Sequence, residues 1–259
     1  MPKYQILHAR AQMKSQNSSS DIMQRCGIEE VSAALDSEDV TLILARRDAQ
    51  DSEVARLCEL AESKGITVIE GSKSDMWRMA RLNEGDEPPG ILALVGRKPD
   101  ASIEEVLANG GLVWLLAGAR YPVNIGFTIR TAEVSGADAV FVDGDLNHDE
   151  RKAAVRASMK AHRFMPVHWV DGDEIVAKAH EAGFRVVSLE DTGDKGPWDE
   201  DLTGDVMLVV GGERDGIPDS ILSASDSVVR IPMAGFVPSY NLQAPVAVVA
   251  AEALRQRSG

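Results

Sequence analysis

The chain has 259 residues, 44% of them hydrophobic and 5% aromatic, with 27 basic against 41 acidic side chains for a net charge of -14. That is enough apolar chain for one small and one medium domain, each with its own core and no need of disulfide or metal support. The acidic surplus excludes a protein that coats nucleic acid nonspecifically, because neutralising phosphates requires an excess of Lys and Arg. Counted through Lys98 the balance is 13 basic to 16 acidic, and beyond it 14 to 25, so the acidity lies mostly in the second part. Local basic patches remain, in RKAAVRASMKAHR (151–163) and in the RRD and WRMAR segments of the first part. Cys26 and Cys58 lie far apart with no C-x-x-C and no clustered histidines, which reads as two ordinary thiols and no zinc site. The amino-terminal MPKYQILHARAQMKSQNSSS lacks the apolar core of a signal peptide, and no apolar run approaches the roughly 20 residues that span a bilayer. The expectation is a cytoplasmic protein with no membrane partner.

In chain order, residues 40–44 (VTLIL) and 66–69 (ITVI) read as short buried strands around a helical SEVARLCELAESKG, whose Gly65 suits a carboxy-terminal cap. A further helix, SDMWRMARLNE, is followed by a break at Pro88-Pro89-Gly90 and a strand at 91–96 (ILALVG). RKPDASIEEVLANGG is turn-rich and reads as a linker with a short helix, placing a domain boundary near residue 100. Beyond it, LVWLLAG (112–118), AVFVDG (139–144), MPVHWV (165–170), FRVVSLE (184–190), VMLVVGG (206–212) and VVRIPM (228–233) alternate with amphipathic stretches. Near-continuous apolar strands joined through helices indicate a parallel sheet covered on both faces. NLQAPVAVVAAEALRQR predicts a carboxy-terminal helix with a basic end that complements its dipole, and Pro245 fits only near its first turn. In such sheets ligands sit beyond the carboxyl ends of strands, so the residues just after strands are the informative ones.

Three such segments stand out. Asn124-Ile125-Gly126-Phe127-Thr128-Ile129-Arg130-Thr131-Ala132 predicts a helix starting near Asn124. Gly126 would then lie in the first turn, where a missing side chain permits close backbone approach, and Arg130 on the same face one turn later. Leu208 to Pro218 runs a hydrophobic strand into Gly211-Gly212-Glu213 and then Gly216-Ile217-Pro218, a tight turn that exposes peptide groups. Ile231 to Leu242 feeds the last helix, with Ser239 or Asn241 placed to cap it. Taken singly, each has an ordinary account: a capping Asn with a solvated Arg, a plain strand-to-helix turn with a surface Glu, and a helix cap.

Together, in this order and spacing, the segments resemble the motifs of the SpoU (TrmH-like) family: N-x-G-x-x-x-R-T-A, G-x-E-x-x-G-(I/L), and I-P-M-x-G-x-x-x-S-x-N. The resemblance covers about residues 111 to 257, and Arg156-Ala157-Ser158 is similar to the family's R-x-S stretch. It implies an α/β fold of the SPOUT type, with a mostly parallel sheet carrying a trefoil knot, a rare exception to unknotted topology. It implies a homodimer using S-adenosylmethionine, without metal, to methylate a ribose 2′-hydroxyl of structured RNA and not DNA. Residues 101–259 would form this catalytic domain. Residues 1–100 resemble, less specifically, the small ribosomal-protein-like substrate-binding domain that precedes many such catalytic domains. Its presence tilts the expected substrate towards rRNA over tRNA.

Carried over residue by residue, the resemblance makes Gly212, Ile217, Ile231, Met233, Asn241 and Leu242 the cofactor-binding set. Asn124, Arg130, Glu213, Ser239 and Asn241 become the catalytic set. The family gives the key role to the motif-one arginine, here Arg130. An ordinary arginine is not deprotonated in proteins, so clamping the target phosphate fits it better than action as a literal base. Asn124 would orient the hydroxyl or Arg130, Glu213 would position Arg130 or the partner chain, and Ser239 with Asn241 would complete the pocket. The sequence departs from the family at Tyr240, at Gln243-Ala244-Pro245, at Lys160 where a small residue is usual, and at Pro88-Pro89-Gly90 where His-Gln-Gly is usual. The competing reading is a noncatalytic RNA- or cofactor-binding protein on the same fold. A dinucleotide-dependent oxidoreductase fails on the absence of G-x-G-x-x-G after the first strand of either part.

Overall fold

The computed structural model describes residues 23–83, 85–237 and 239–258, so the signal-peptide expectation for MPKYQILHARAQMKSQNSSS falls outside the described residues. The chain divides into two compact units between Lys98 and Pro99.

The first unit holds β1 (Gln24–Cys26), α1 (Gly27–Ser37), β2 (Val40–Arg46), α2 (Ser52–Ser63), β3 (Thr67–Gly71), α3 (Lys73–Met79) and β4 (Ile91–Val95). Its sheet runs β1-β4-β2-β3, with β2 and β3 parallel and β4 antiparallel to both its neighbours. The helical spacing of Val54, Leu57 and Ala61 turns one stripe of α2 inwards, where it joins Val31 and Ala34 of α1 on Ile43 and Ile91. Asp51 caps α2 by accepting from the Glu53 N–H at 2.8 Å, and Gly65 ends the turn with a φ of +75°. The helix predicted over SDMWRMARLNE stops at Met79.

The second unit contains α4 (Ile103–Asn109), β5 (Leu112–Ala117), α5 (Pro122–Val134), β6 (Ala139–Val142), α6 (His148–Ala157), β7 (Val167–Trp169), α7 (Gly172–Glu181), β8 (Arg185–Leu189), β9 (Val206–Gly211), α8 (Asp219–Ala224), β10 (Ser227–Val229) and α9 (Gln243–Arg257). All six strands are parallel, in the order β10-β8-β9-β5-β6-β7. Every residue of β5 is buried: Leu112, Trp114 and Leu116 face α5, α6 and α9, while Val113, Leu115 and Ala117 face α4 and α7. This two-sided burial is why these strands read as continuous apolar runs rather than as alternation. The direction of strand order reverses between β5 and β9, so their carboxyl ends form the switch point.

Two local expectations change. Helix α5 begins at Pro122 with Tyr121 as its N-cap, because proline lacks only an N–H that no helix bond would use at that position. Asn124 is therefore inside the first turn and does not cap, and Gly126 falls in the second turn. There Gly126 is buried against α6: a Cβ would stand 2.4 Å from the Ala154 carbonyl oxygen and 2.5 Å from the Ala157 Cβ. Its smallness serves helix packing. Lys160 follows α6 with a φ of +75°, in the left-handed region that favours glycine, which explains why a small residue is usual at this place. Pro245, third in α9, sits in the first turn where it costs no helix bond.

Gly126→Ala is expected to destabilise the protein by about 1–3 kcal/mol through overpacking of α5 on α6, read as a lower urea midpoint. An unchanged midpoint would refute this close approach. Burial pushes the His162 imidazole below its ordinary 6.5, with Arg163 adding to the effect, while its Nδ1 lies 2.8 Å from the Ser158 hydroxyl. A histidine held neutral in the fold stabilises fully above its unfolded pKa and loses that contribution as pH falls below it. Urea midpoints measured from pH 7.5 down to 5 should therefore fall more steeply for the wild type than for His162→Gln.

Candidate active site at the switch point

The carboxyl ends of β5 and β9 meet closely. The Gly212 N–H donates to the Ala117 carbonyl at 2.7 Å, and a Cβ on Gly212 would lie 2.1 Å from the Gly118 carbonyl oxygen. Beyond this seam the chain doubles back on itself. Gly216 N–H donates to the Gly212 carbonyl at 3.2 Å, and a Cβ on Gly211 would collide with Gly216 and Ile217 backbone. Glycine is required at 211 and 212 by these approaches rather than by an unusual φ.

Glu213 follows directly and reaches across the seam. Its Oε1 accepts from Asn124 Nδ2 at 2.6 Å, while its Oε2 is buried with no partner among the described residues. A buried carboxylate oxygen left open costs on the order of 1–3 kcal/mol, so this acceptor faces a place that a donor can fill. Asn124 in turn receives a weak 3.5 Å bond from Asn241 Nδ2. Asn241 Oδ1 also accepts the Gln243 N–H at 3.2 Å and so steadies the start of α9. The three segments singled out in the sequence thus join through Glu213, Asn124 and Asn241.

The remaining predicted residues take different places. Arg130 is exposed and makes no hydrogen bond or ion pair among the described residues, so it is not held by Asn124 or Glu213. Ser239 is exposed, and Gly212 is buried. Ile217 and Leu242 have their side chains in the two cores, which leaves only their backbone for a ligand. Ile231 is partly buried against the core, and Met233 is exposed. Tyr240, unusual for the family, closes the loop by donating its hydroxyl to the Pro232 carbonyl at 3.1 Å.

Two features escaped the sequence reading. Arg120, just after β5, pairs with Asp215 at 2.9 Å and forms a second, exposed tie across the seam. Asp143, at the end of β6, accepts from the Gly118 N–H at 3.3 Å, and burial pushes its carboxyl above the usual carboxylate range. The positions of both just after strands were the available signal, but neither belongs to a motif. A cavity of about 320 Å³ lies away from this constellation, among Ile103, Arg151, Trp169, Asp171, Glu174 and Lys178.

An all-parallel sheet with polar side chains from three separate segments gathered at its switch point is the architecture of an α/β ligand-binding enzyme. Residues 111–251 match the SpoU rRNA Methylase family. An uncharacterized tRNA/rRNA methyltransferase of Mycobacterium sp. (strain KMS) is 30% identical over 224 residues, which cover 83% of this chain and 70% of that protein. The 23S rRNA (guanosine-2′-O-)-methyltransferase RlmB of Photobacterium profundum is 28% identical over 241 residues, covering 89% and 96%. Among solved structures, the SpoU methyltransferase AviRb from Streptomyces viridochromogenes in complex with its cofactor AdoMet is 26% identical with a TM-score of 0.55, covering 91% of this chain and 90% of that one. The chain belongs to the SpoU rRNA methylase family, a family of RNA methyltransferases.

Asn124→Ala would remove the one hydrogen bond Glu213 makes among the described residues and leave both carboxylate oxygens open. The expected cost is about 1–3 kcal/mol in urea unfolding, with Glu213→Ala partly restoring stability in the Asn124→Ala background. Additive losses in that double-mutant cycle would contradict the coupling.

Proposed function

We propose that the chain is an S-adenosylmethionine-dependent ribose 2′-O-methyltransferase acting on rRNA. The observation that carries this reading is the junction of Glu213, Asn124 and Asn241 at the end of the β5–β9 seam, within a chain of this family. The relative named for 23S rRNA guanosine 2′-O-methylation over nearly its whole length supports the substrate class, and AviRb with its bound AdoMet supports the cofactor.

The doubled-back glycine loop suits the cofactor because it brings main chain up to the site without side chains in the way, and the open Glu213 Oε2 suits a cationic or hydrogen-bond-donating group. Gly212, Ile217, Asn241 and Leu242 would hold the cofactor mainly through their backbone, with Ile231 and the exposed Met233 supplying apolar contact. When bound, the cofactor supplies an electrophilic methyl group on a sulfonium. Arg130 would clamp the phosphate next to the target ribose and stabilise the negative charge that develops on the attacking 2′-oxygen. The hydroxyl proton would leave to water or a neighbouring group, since Arg130 stays protonated. Asn124 would orient the hydroxyl, Glu213 would hold Asn124, and Ser239 with Asn241 would close the pocket. The 2′-hydroxyl itself separates RNA from DNA as substrate.

The reading includes a homodimer. Val123, Phe127, Arg130 and Val134 share one face of α5, and three of them are exposed apolar side chains, Val134 at 65%. Helix α9, which packs on α5, exposes Val248 and Leu254. A second copy covering this stripe would enclose Arg130 and bring the catalytic constellation to an interface. It also includes a trefoil knot in the carboxy-terminal part, a substrate-binding role for residues 1–100 on a ribosomal-protein-like fold, and a cytoplasmic location. No helix among the described residues is long and apolar enough to cross a membrane.

The test is transfer of labelled methyl from S-adenosylmethionine to rRNA and, separately, tRNA from a strain lacking this gene. Label is expected at a ribose 2′-oxygen of rRNA, with Arg130→Ala lowering the rate at least a hundredfold while leaving cofactor binding intact. Label in tRNA alone would change the substrate. Cofactor binding without transfer to either RNA would replace the enzyme with a binding protein.

A further inference from the structure

We infer that the outward side of α6 and the turn after it form the surface on which the phosphate backbone of the substrate RNA rests. The inference depends on the methyltransferase reading and adds a surface outside the catalytic constellation. Residues 151–163 contain Arg151, Lys152, Arg156, Lys160 and Arg163 and no acidic residue, in a chain of net charge -14. The two acids of α6, Asp149 and Glu150, stand in its first turn, where Glu150 closes a capping box with Asn147. The folded arrangement gathers the bases. Lys152 and Arg156 are four residues, about 6 Å, apart along one side of the helix, both exposed. The opposite side carries Ala154, buried against α5.

Three of these charges are left unneutralised among the described residues. Lys152, Arg156 and Arg163 make no side-chain hydrogen bond or ion pair among the described residues. Several exposed bases elsewhere are neutralised nearby, Arg56 by Glu53, Lys178 by Glu174, Arg255 by Glu252 and Arg120 by Asp215. Arg78, Arg81, Arg214 and Arg230 are exposed without a side-chain partner among the described residues, but they do not lie in an acid-free run of five bases. Arg151 adds a second, independent feature. Its Nε donates to the Leu146 carbonyl at 3.1 Å and its guanidinium lies 5.1 Å above the Trp169 ring, so its plane is fixed. Its terminal nitrogens keep their donors for an external group. An arginine already held in place loses little side-chain freedom on meeting a phosphate, and its planar fork matches two phosphate oxygens.

A polyanion fits this surface better than a compact anion because the donors are strung along a helix instead of converging on one point. That helix packs through Gly126 on α5, the element that carries Arg130. RNA held along α6 is therefore delivered next to the helix bearing the proposed catalytic arginine. In a protein of net charge -14, such a surface sets the orientation of approach as well as affinity.

The experiment compares wild type, Lys152→Glu/Arg156→Glu, and the control Lys178→Glu on α7, a base that lines the cavity beside Arg151 but is already paired with Glu174. Dissociation constants for rRNA from the gene-deleted strain are measured over a series of salt concentrations, alongside thermal unfolding and S-adenosylmethionine binding. The double variant is expected to unfold and bind cofactor like wild type, to bind rRNA at least tenfold more weakly, and to lose about 1.4–1.8 from the slope of log K against log salt, the value for two phosphate contacts. Lys178→Glu is expected to bind like wild type. Unchanged rRNA binding and slope in the double variant, an equal loss in Lys178→Glu, or no rRNA binding by wild type would each overturn the inference. The two readings fail separately. Wild type that binds rRNA through these residues but transfers no methyl overturns the activity, and wild type that transfers methyl beside a double variant of undiminished binding overturns the surface.

Discussion

The contact on which the second unit depends is the approach of the β5 and β9 carboxyl ends, fastened by the Gly212 N–H to Ala117 carbonyl bond. These two strands are central and enclosed by helices on both sides, so they cannot themselves carry polar chemistry without burying unpaired groups. All polar function has to stand on the loops beyond their ends. Those loops can converge only because residue 212 has no side chain to strike the Gly118 carbonyl and residue 211 none to strike the returning chain at Gly216. The glycines are thus a packing requirement first, and the bare main chain they leave at the surface of the seam is the consequence.

From the seam the rest of the constellation follows. Helix α5 starts at Pro122 and sets Asn124 within reach of Glu213, and the start of α9 sets Asn241 within reach of Asn124. Arg120 and Asp215 tie the same two loops a second time. The first tie is partly buried and so stronger per bond than the exposed ion pair, which water and salt weaken. The geometry at Glu213 is therefore set mainly by its amide partner, which engages one oxygen and leaves the other open.

Much of this was legible in the sequence where one physical cause dominates. The apolar runs at 112–118, 139–144 and 206–212 marked parallel strands because two-sided burial leaves no polar face, and the order of the three motif segments identified the family. The detail that was not legible came from contacts between elements distant in sequence. Gly126 was legible as a place for close backbone approach, but not that the approaching backbone is that of α6 at Ala154 and Ala157. Asn124 looked like a helix cap, but Pro122 starts the helix earlier and frees the amide to bond Glu213, 89 residues away. Lys160 looked like a simple departure from the family, whereas its left-handed backbone shows what the usual small residue is for. Arg130 is the reverse case. Its helix and face were readable from spacing, yet its lack of a partner emerges only once every neighbouring side chain is in place.

That lack bears on how an acidic protein handles a polyanion. A net charge of -14 lowers affinity for RNA in general, which penalises nonspecific encounters and retention of product alike. Against such a background a few cations count only if the protein does not neutralise them itself, and Arg130, Lys152 and Arg156 are left in this way while Arg120 and Lys178 are not. On the proposed reading, selectivity arises because the attraction is concentrated where several unpaired bases stand together, so that RNA binds best when it reaches α6 and Arg130 together. A protein basic all over would hold RNA in many orientations, most of them with the target ribose away from the seam, and would gain affinity while losing the alignment that methyl transfer requires.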